Sequence, residues 1–112
     1  MRYMLLMWDD QVEALSPDQI AARPEMVTWL KDVEARGVQH QGVRLRSASD
    51  ARTVRVRDGQ IMVTDGPFAE TKDQIAGYEL IECADLDEAI EVAAGHPTAA
   101  RYSVEIRPFW KE

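Results

Sequence analysis

Apolar and polar positions change period several times along the 112 residues, and each change marks an element. Tyr3 to Trp8 is a short unbroken apolar run ended by Asp9-Asp10, the pattern of a central strand buried on both faces. Ser16-Pro17-Asp18-Gln19 is a helix start: a capping hydroxyl, a proline at the first helical position and a glutamine that completes a capping box. Pro24 would break a helix interior but suits the first turn of a new one. The spacing therefore predicts a short helical turn over 17–22 and a main helix from Pro24 to Arg36. Met26, Val27, Trp29, Leu30 and Val33 form its apolar stripe, and Gly37 stops it. Val38 to Leu45 reads as a second strand, with Gly42 marking a bulge or a close approach. Thr53 to Arg57 alternates strictly, so one face packs and the arginines point out. Asp58-Gly59 is a tight-hairpin dipeptide, and Gln60 to Thr64 is the returning strand. Ile75 to Cys83 is a further strand. Asp85 caps a second main helix whose buried stripe is Leu86, Ala89, Ile90, Val92 and Ala93; Gly95-His96-Pro97 closes it. Tyr102 to Phe109 is the last strand.

Without the 53–64 hairpin the order is β-α-β-β-α-β, a ferredoxin-like split βαβ pattern. The expected fold is α+β, an antiparallel sheet with two helices on one face and an inserted β-hairpin. Trp8, Tyr78, Phe109 and Trp110 cannot all lie beneath two short helices. A second subunit, sheet against sheet in a two-fold homodimer, is the economical cover. No linker, repeat or low-complexity stretch divides the chain, so residues 1–112 read as one domain.

Charge narrows the partners. Thirteen basic and twenty acidic residues leave a net charge of −7, which disfavours nucleic acid and anionic membrane surfaces. Arg44, Arg46, Arg52, Arg55 and Arg57 nevertheless cluster and could serve a small anion. One cysteine, Cys83, forms no internal disulfide, consistent with a reducing compartment. No apolar run nears the roughly 18 residues of a membrane span, and the six-residue run at the start is too short for a signal peptide. Cytoplasmic location is the expectation.

Candidate chemistry gathers around Val63 to Lys72. Asp65-Gly66-Pro67 turns the chain sharply, Phe68 adds a large ring, and Glu70, Thr71 and Lys72 supply an acid, a hydroxyl and an ammonium. A plain hairpin needs two loop residues; about ten here suggest a shaped surface. Asp65 is either a turn former bonding its own backbone or a carboxylate facing a cleft. Glu70 and Lys72 are either a solvated pair or, for Lys72, an anion ligand. Arg44 and Arg46 share a strand face and could grip a carboxylate or phosphate. Tyr78 is a core or interface aromatic, or a proton donor. His96 sits where a helix ends: it either caps carbonyls in its protonated form or acts near neutrality as a base. His40 lies mid-strand and is ambiguous. Two histidines 56 positions apart and a single cysteine give no metal-ligand spacing, and neither a phosphate loop nor a nucleophile elbow is present. No cofactor or metal is expected.

The segments MRYMLLMW, VRVRDG, VTDGPFAETKDQIAGYELIE, DLDEAIEVAAGHP and SVEIRPFW, in that order, resemble the DGPF branch of the YCII-related proteins over nearly the whole chain. The resemblance implies a ferredoxin-like subunit in a dimeric α+β barrel. Relatives in the wider superfamily include isomerases, dehalogenating lyases, cofactor-free monooxygenases and proteins that only bind ligands, so fold alone does not decide function. The broader family is associated with a histidine–aspartate dyad. Its histidine lies in an Arg-Pro-x-His segment and its aspartate in an Asp-Pro. Here Met26 and His96 stand at those places, so the dyad does not carry over.

The expected function is therefore of two classes. One is cofactor-independent proton transfer, an isomerase or lyase step on a small polar or aromatic molecule. His96 would be the base, Asp65 its partner or the acid, and Arg44 or Arg46 the anion anchor. Phe68, Lys72 and Tyr78 would help to line a pocket rimmed by the 65–72 loop. The other is a non-catalytic ligand-binding or regulatory module; the resemblance brings an association with extracytoplasmic-function sigma factors.

Overall fold

A computed structural model describes residues 1–10 and 15–111. Its elements are β1 (Arg2–Asp9), α1 (Pro17–Ala21), α2 (Pro24–Ala35), β2 (Gln39–Arg44), β3 (Arg52–Arg57), β4 (Gln60–Asp65), β5 (Gln74–Glu82), α3 (Leu86–Gly95), α4 (Pro97–Arg101) and β6 (Ser103–Pro108). The protein is mixed α+β with antiparallel sheets. Four strands form one sheet in the order β2-β5-β1-β6, and β3-β4 form a separate two-stranded sheet. This arrangement is consistent with a ferredoxin-like type.

The local signals act as their chemistry requires. The Ser16 Oγ accepts from the Gln19 N–H at 3.2 Å, and the Gln19 side chain accepts from the Ser16 N–H at 2.9 Å, so the capping box closes in both directions. Pro17 and Pro24 each open a helix. Asp85 caps α3 by accepting from the Glu88 N–H at 2.9 Å. Asp58 and Gly59 both take positive φ, 51° and 74°, as a tight two-residue hairpin turn demands.

Tyr3, Leu5 and Met7 on β1 meet Trp29 and Val33 of α2, and Ala89, Val92 and Ala93 of α3, in the buried core. Fully burying a side chain such as Leu5 contributes roughly 2–3 kcal/mol. Trp29 is anchored twice, by packing and by its indole N–H donating to the Val92 carbonyl at 2.8 Å.

Three expectations change. β1 is central, but it alternates: Tyr3, Leu5, Met7 and Asp9 are buried while Met4, Leu6 and Trp8 are half-buried, because the helices cover one face of the sheet. Leu86 and Ile90 are about half exposed; Ala89 and Ala93 let α3 settle closely on the sheet, which turns the larger residues outward. The third is extended rather than overturned: α3 closes at Gly95 as expected, but Pro97 then opens α4, and His96 is at once the last cap of α3 and the first of α4.

The β3-β4 hairpin alternates as expected, yet among the described residues the face that should pack is left largely uncovered: Val54, Val56, Ile61 and Val63 are exposed. Its base is firmly tied. The Gly66 N–H donates to the Ala51 carbonyl at 2.8 Å, and the Thr53 hydroxyl to the Gly66 carbonyl at 2.9 Å. Among the described residues no helix is long and apolar enough to cross a membrane.

Candidate functional site

A cleft of about 690 Å3 opens between the sheet and the α1-α2 and α4 helices. Strand register builds its floor. β2 pairs with β5 so that His40 lies opposite Ile81, Gly42 opposite Glu79 and Arg44 opposite Gly77. Alternation then puts His40, Gly42, Arg44, Gly77 and Glu79 on the helix-facing side. Each charged residue, Glu79 and Arg44, thus faces a glycine across the ladder. A Cβ on Gly42 would fall 2.0 Å from the Glu79 carboxylate, and one on Gly77 2.7 Å from the Val43 carbonyl. The glycines are what make room for the charged groups and for the approach of the two strands. Gly42 is therefore a close approach; the register break lies instead in the β1-β5 pairing, between Met7 and Trp8.

Glu79 is the unusual group. It is buried, and its Oε2 has no hydrogen-bond partner. The Nδ1 of His40 stands 3.5 Å from that oxygen, within ion-pair reach but beyond a good hydrogen bond. Burial pushes the Glu79 carboxyl above the usual carboxylate range, and the neighbouring His40 only partly offsets this. The result is a buried carboxyl of raised proton affinity beside a partly exposed imidazole.

The rest of the cleft is an apolar wall with charged ends. Ile20, Met26 and Leu30 line it from the helices and Met7 from the sheet, with Arg23, Arg44 and Arg101 among the polar groups. The Arg44 Nε donates to the Leu15 carbonyl at 3.1 Å, which ties the entry of α1 to the sheet. Arg101 pairs with the buried Asp9 at 2.8 Å. Trp29 stands between the two histidines, edge-on to His96 at 4.8 Å and to His40 at 5.9 Å.

His96 lines this cleft, but in a different role from the protonated cap. Its Nδ1 accepts from the Thr98 N–H at 3.1 Å, which an imidazolium could not do. Burial, with the nearby Arg101 charge adding to it, lowers its pKa to about 4. His96 is a neutral hinge pin between α3 and α4.

The structure brings together His96, Arg44 and Tyr78 in the lining of one cleft, although strand alternation turns the Tyr78 side chain to the opposite face of the sheet. Asp65, Arg46, Phe68 and Lys72 are not among the lining residues. Asp65 pairs with Arg52 at 3.1 Å on the hairpin, Arg46 with Asp50 at 3.1 Å, and the Phe68 ring sits 5.4 Å from the Arg55 guanidinium. The 65–72 loop thus closes the base of the hairpin. Its far end is held by Tyr102, whose hydroxyl donates to the Asp73 carboxylate. Glu79 is the residue that sequence reasoning missed. One signal existed: an acid placed between apolar neighbours in Gly77-Tyr78-Glu79-Leu80-Ile81 is costly unless it serves something.

Cys83 is buried and free, and burial raises its thiol pKa, which suits an unreactive core residue. Among the described residues no three His, Cys, Asp or Glu side chains gather to hold a metal ion.

The chain is 36% identical over 116 aligned positions to an uncharacterised protein of Rhizobium meliloti (strain 1021), covering 96% of this chain and 91% of that protein. The YCII-related domain matches residues 1–111. The chain belongs to the YCII-related family.

Proposed function

We propose that the cleft binds a small molecule with an anionic or carbonyl group and moves a proton on it without a cofactor. Glu79 and His40 are the acid–base pair of this reading, and Arg44 and Arg101 orient the anionic end. The observation that supports it is a buried carboxyl with an unsatisfied oxygen, made room for by Gly42 and placed against an imidazole at the edge of a cleft. A carboxyl whose burial raises its proton affinity, set in a cleft, is an arrangement acid–base catalysis uses. His96 and Asp65, the sequence-based choice for the pair, are replaced here by His40 and Glu79. His96 keeps α4 and Arg101 in place.

The test is proton exchange in D2O, followed by NMR, over a panel of small 2-keto and unsaturated carboxylic acids. Wild-type exchange that falls roughly 100-fold or more in both Glu79→Gln and His40→Gln fits the usual size of general acid–base effects. Exchange that survives Glu79→Gln unchanged would sink the assignment. Binding without exchange in the wild type would point to the second reading, a ligand-binding module. Met26 supports that second reading, since it lines the cleft with a side chain that carries no exchangeable proton.

We further infer that the subunit is ferredoxin-like within the DGPF branch, on Asp65-Gly66-Pro67-Phe68, and pairs sheet to sheet with a second copy in the cytoplasm. The half-buried face of Met4, Leu6, Trp8 and Leu80 supports the pairing. So does the Trp8 indole, already held by its N–H donating to Glu105 at 3.0 Å.

A further inference from the structure

We infer that the β3-β4 hairpin is an arm that packs its aliphatic face on a second copy of this chain. Register puts Val54 opposite Val63 and Val56 opposite Ile61, so alternation places these four side chains on one face. Their exposures run from 58% to 74%. The other face carries Thr53, Arg55, Arg57 and Met62, with Phe68 beneath Arg55.

Among the described residues the hairpin packs appreciably on no other element. It also lengthens the molecule: the radius of gyration is 16.0 Å, against about 13 Å for a compact chain of this length. A two-stranded hairpin alone in water is marginally stable at best. This one is nonetheless regular along both strands and pinned at its base by Gly66, Ala51 and Thr53.

Area and charge favour a second copy as the occupant. Four exposed aliphatic side chains offer roughly 100 Å2 apiece; two arms and the surfaces they would cover then come to roughly 1,600 Å2, a standard size for a specific interface. Residues 52–65 hold three arginines and two aspartates, a net charge of +1, so the remainder of the chain carries −7 − 1 = −8. Arm and body are thus opposite in net charge, which favours the approach of a second copy to the arm. Two copies related by a two-fold axis would exchange arms reciprocally. The inference rests on the dimer proposed above and adds the arm to it.

The test combines oligomeric state with a direct contact. Light scattering and sedimentation are compared for the wild type, for Val54→Glu with Val63→Glu, and for Val54→Thr with Val63→Thr. The threonine pair keeps strand propensity while removing apolar surface. Near-UV circular dichroism of the core should match across all three, because the arm touches little of it. The dimer dissociation constant should rise at least 100-fold for the glutamates and about 10-fold for the threonines. In a mixed dimer with one methyl-labelled copy, the methyls of Val54, Val56, Ile61 and Val63 should show contacts to the unlabelled copy. A dimer with an unchanged constant and no such contacts would overturn the arm and leave the dimer standing. A wild type that is monomeric at millimolar concentration would overturn both.

Discussion

Stability should fall steeply in acid because of one residue, His96. The imidazole is buried, and its pKa drops from 6.5 to about 4. In the unfolded chain the ring takes a proton as pH falls through 6.5; in the folded protein it waits until about 4. Across that window the unfolded state binds more protons, so stability rises with pH and is lost as pH falls. The stabilisation is present above 6.5 and is used up by the time pH passes below about 4. A difference of this size corresponds to about 3 kcal/mol, a large share of the 5–15 kcal/mol typical of a domain. Glu79 works in the opposite direction, since its raised pKa means the folded state takes up a proton before the unfolded one. A double difference isolates His96. Asn is a good helix N-cap, so His96→Asn keeps an acceptor for the Thr98 N–H while removing the titration. Urea unfolding at pH 7 and pH 4 gives the four free energies. The wild type should lose about 3 kcal/mol more than His96→Asn between the two pH values. Equal losses would refute the account and mean that the ring is solvated enough to titrate normally.

Two further outcomes follow from the packing. Gly42→Ala puts a methyl 2.0 Å from the Glu79 carboxylate, so it should cost about 1–3 kcal/mol, as overpacking does; Gly42→Ala combined with Glu79→Ala should recover most of it, read by the same urea titrations. Trp29→Phe removes the donor to the Val92 carbonyl and leaves a gap between the two histidines. It should cost on the order of 2–4 kcal/mol, and a shift in Tm of only a degree or two would show that the indole is not the anchor described.

Much of the element order was legible because its signals are local. The capping box at Ser16, the prolines at 17 and 24 and the Asp58-Gly59 turn each act within a few residues, and none depends on what the rest of the chain does. The unbroken run Tyr3–Trp8 was harder. Its composition is the same for a strand covered on both faces and for one whose second face is only half-buried. Alternation in Thr53–Arg57 likewise announced an apolar face but could not say that this face stays exposed among the described residues. The candidate site was the least legible. Glu79 and His40 are brought together by β2-β5 register across 39 positions, and only pairing reveals that Gly42 lies opposite the carboxylate. The Asp65-Gly66-Pro67-Phe68 cluster stood out as more than a plain turn and was expected to rim a pocket. What it builds is the root of a projecting hairpin, because the Gly66 peptide bonds back to Ala51 and Thr53.

The glycine pair beneath the cleft also sets which way this protein can diverge. At 77 the smallest possible change, one methyl, collides with backbone, and at 42 it collides with the Glu79 carboxylate, so the sheet-borne wall changes only at a cost or together with Glu79. The opposite wall is not so bound. Ile20, Met26 and Leu30 line the cleft from the helices and are only partly buried, so a change in their size leaves the strand ladder in place. A lineage built on this scaffold would change its ligand by substitution on α1 and α2 while handing down the glycines, and with them the acid, unaltered.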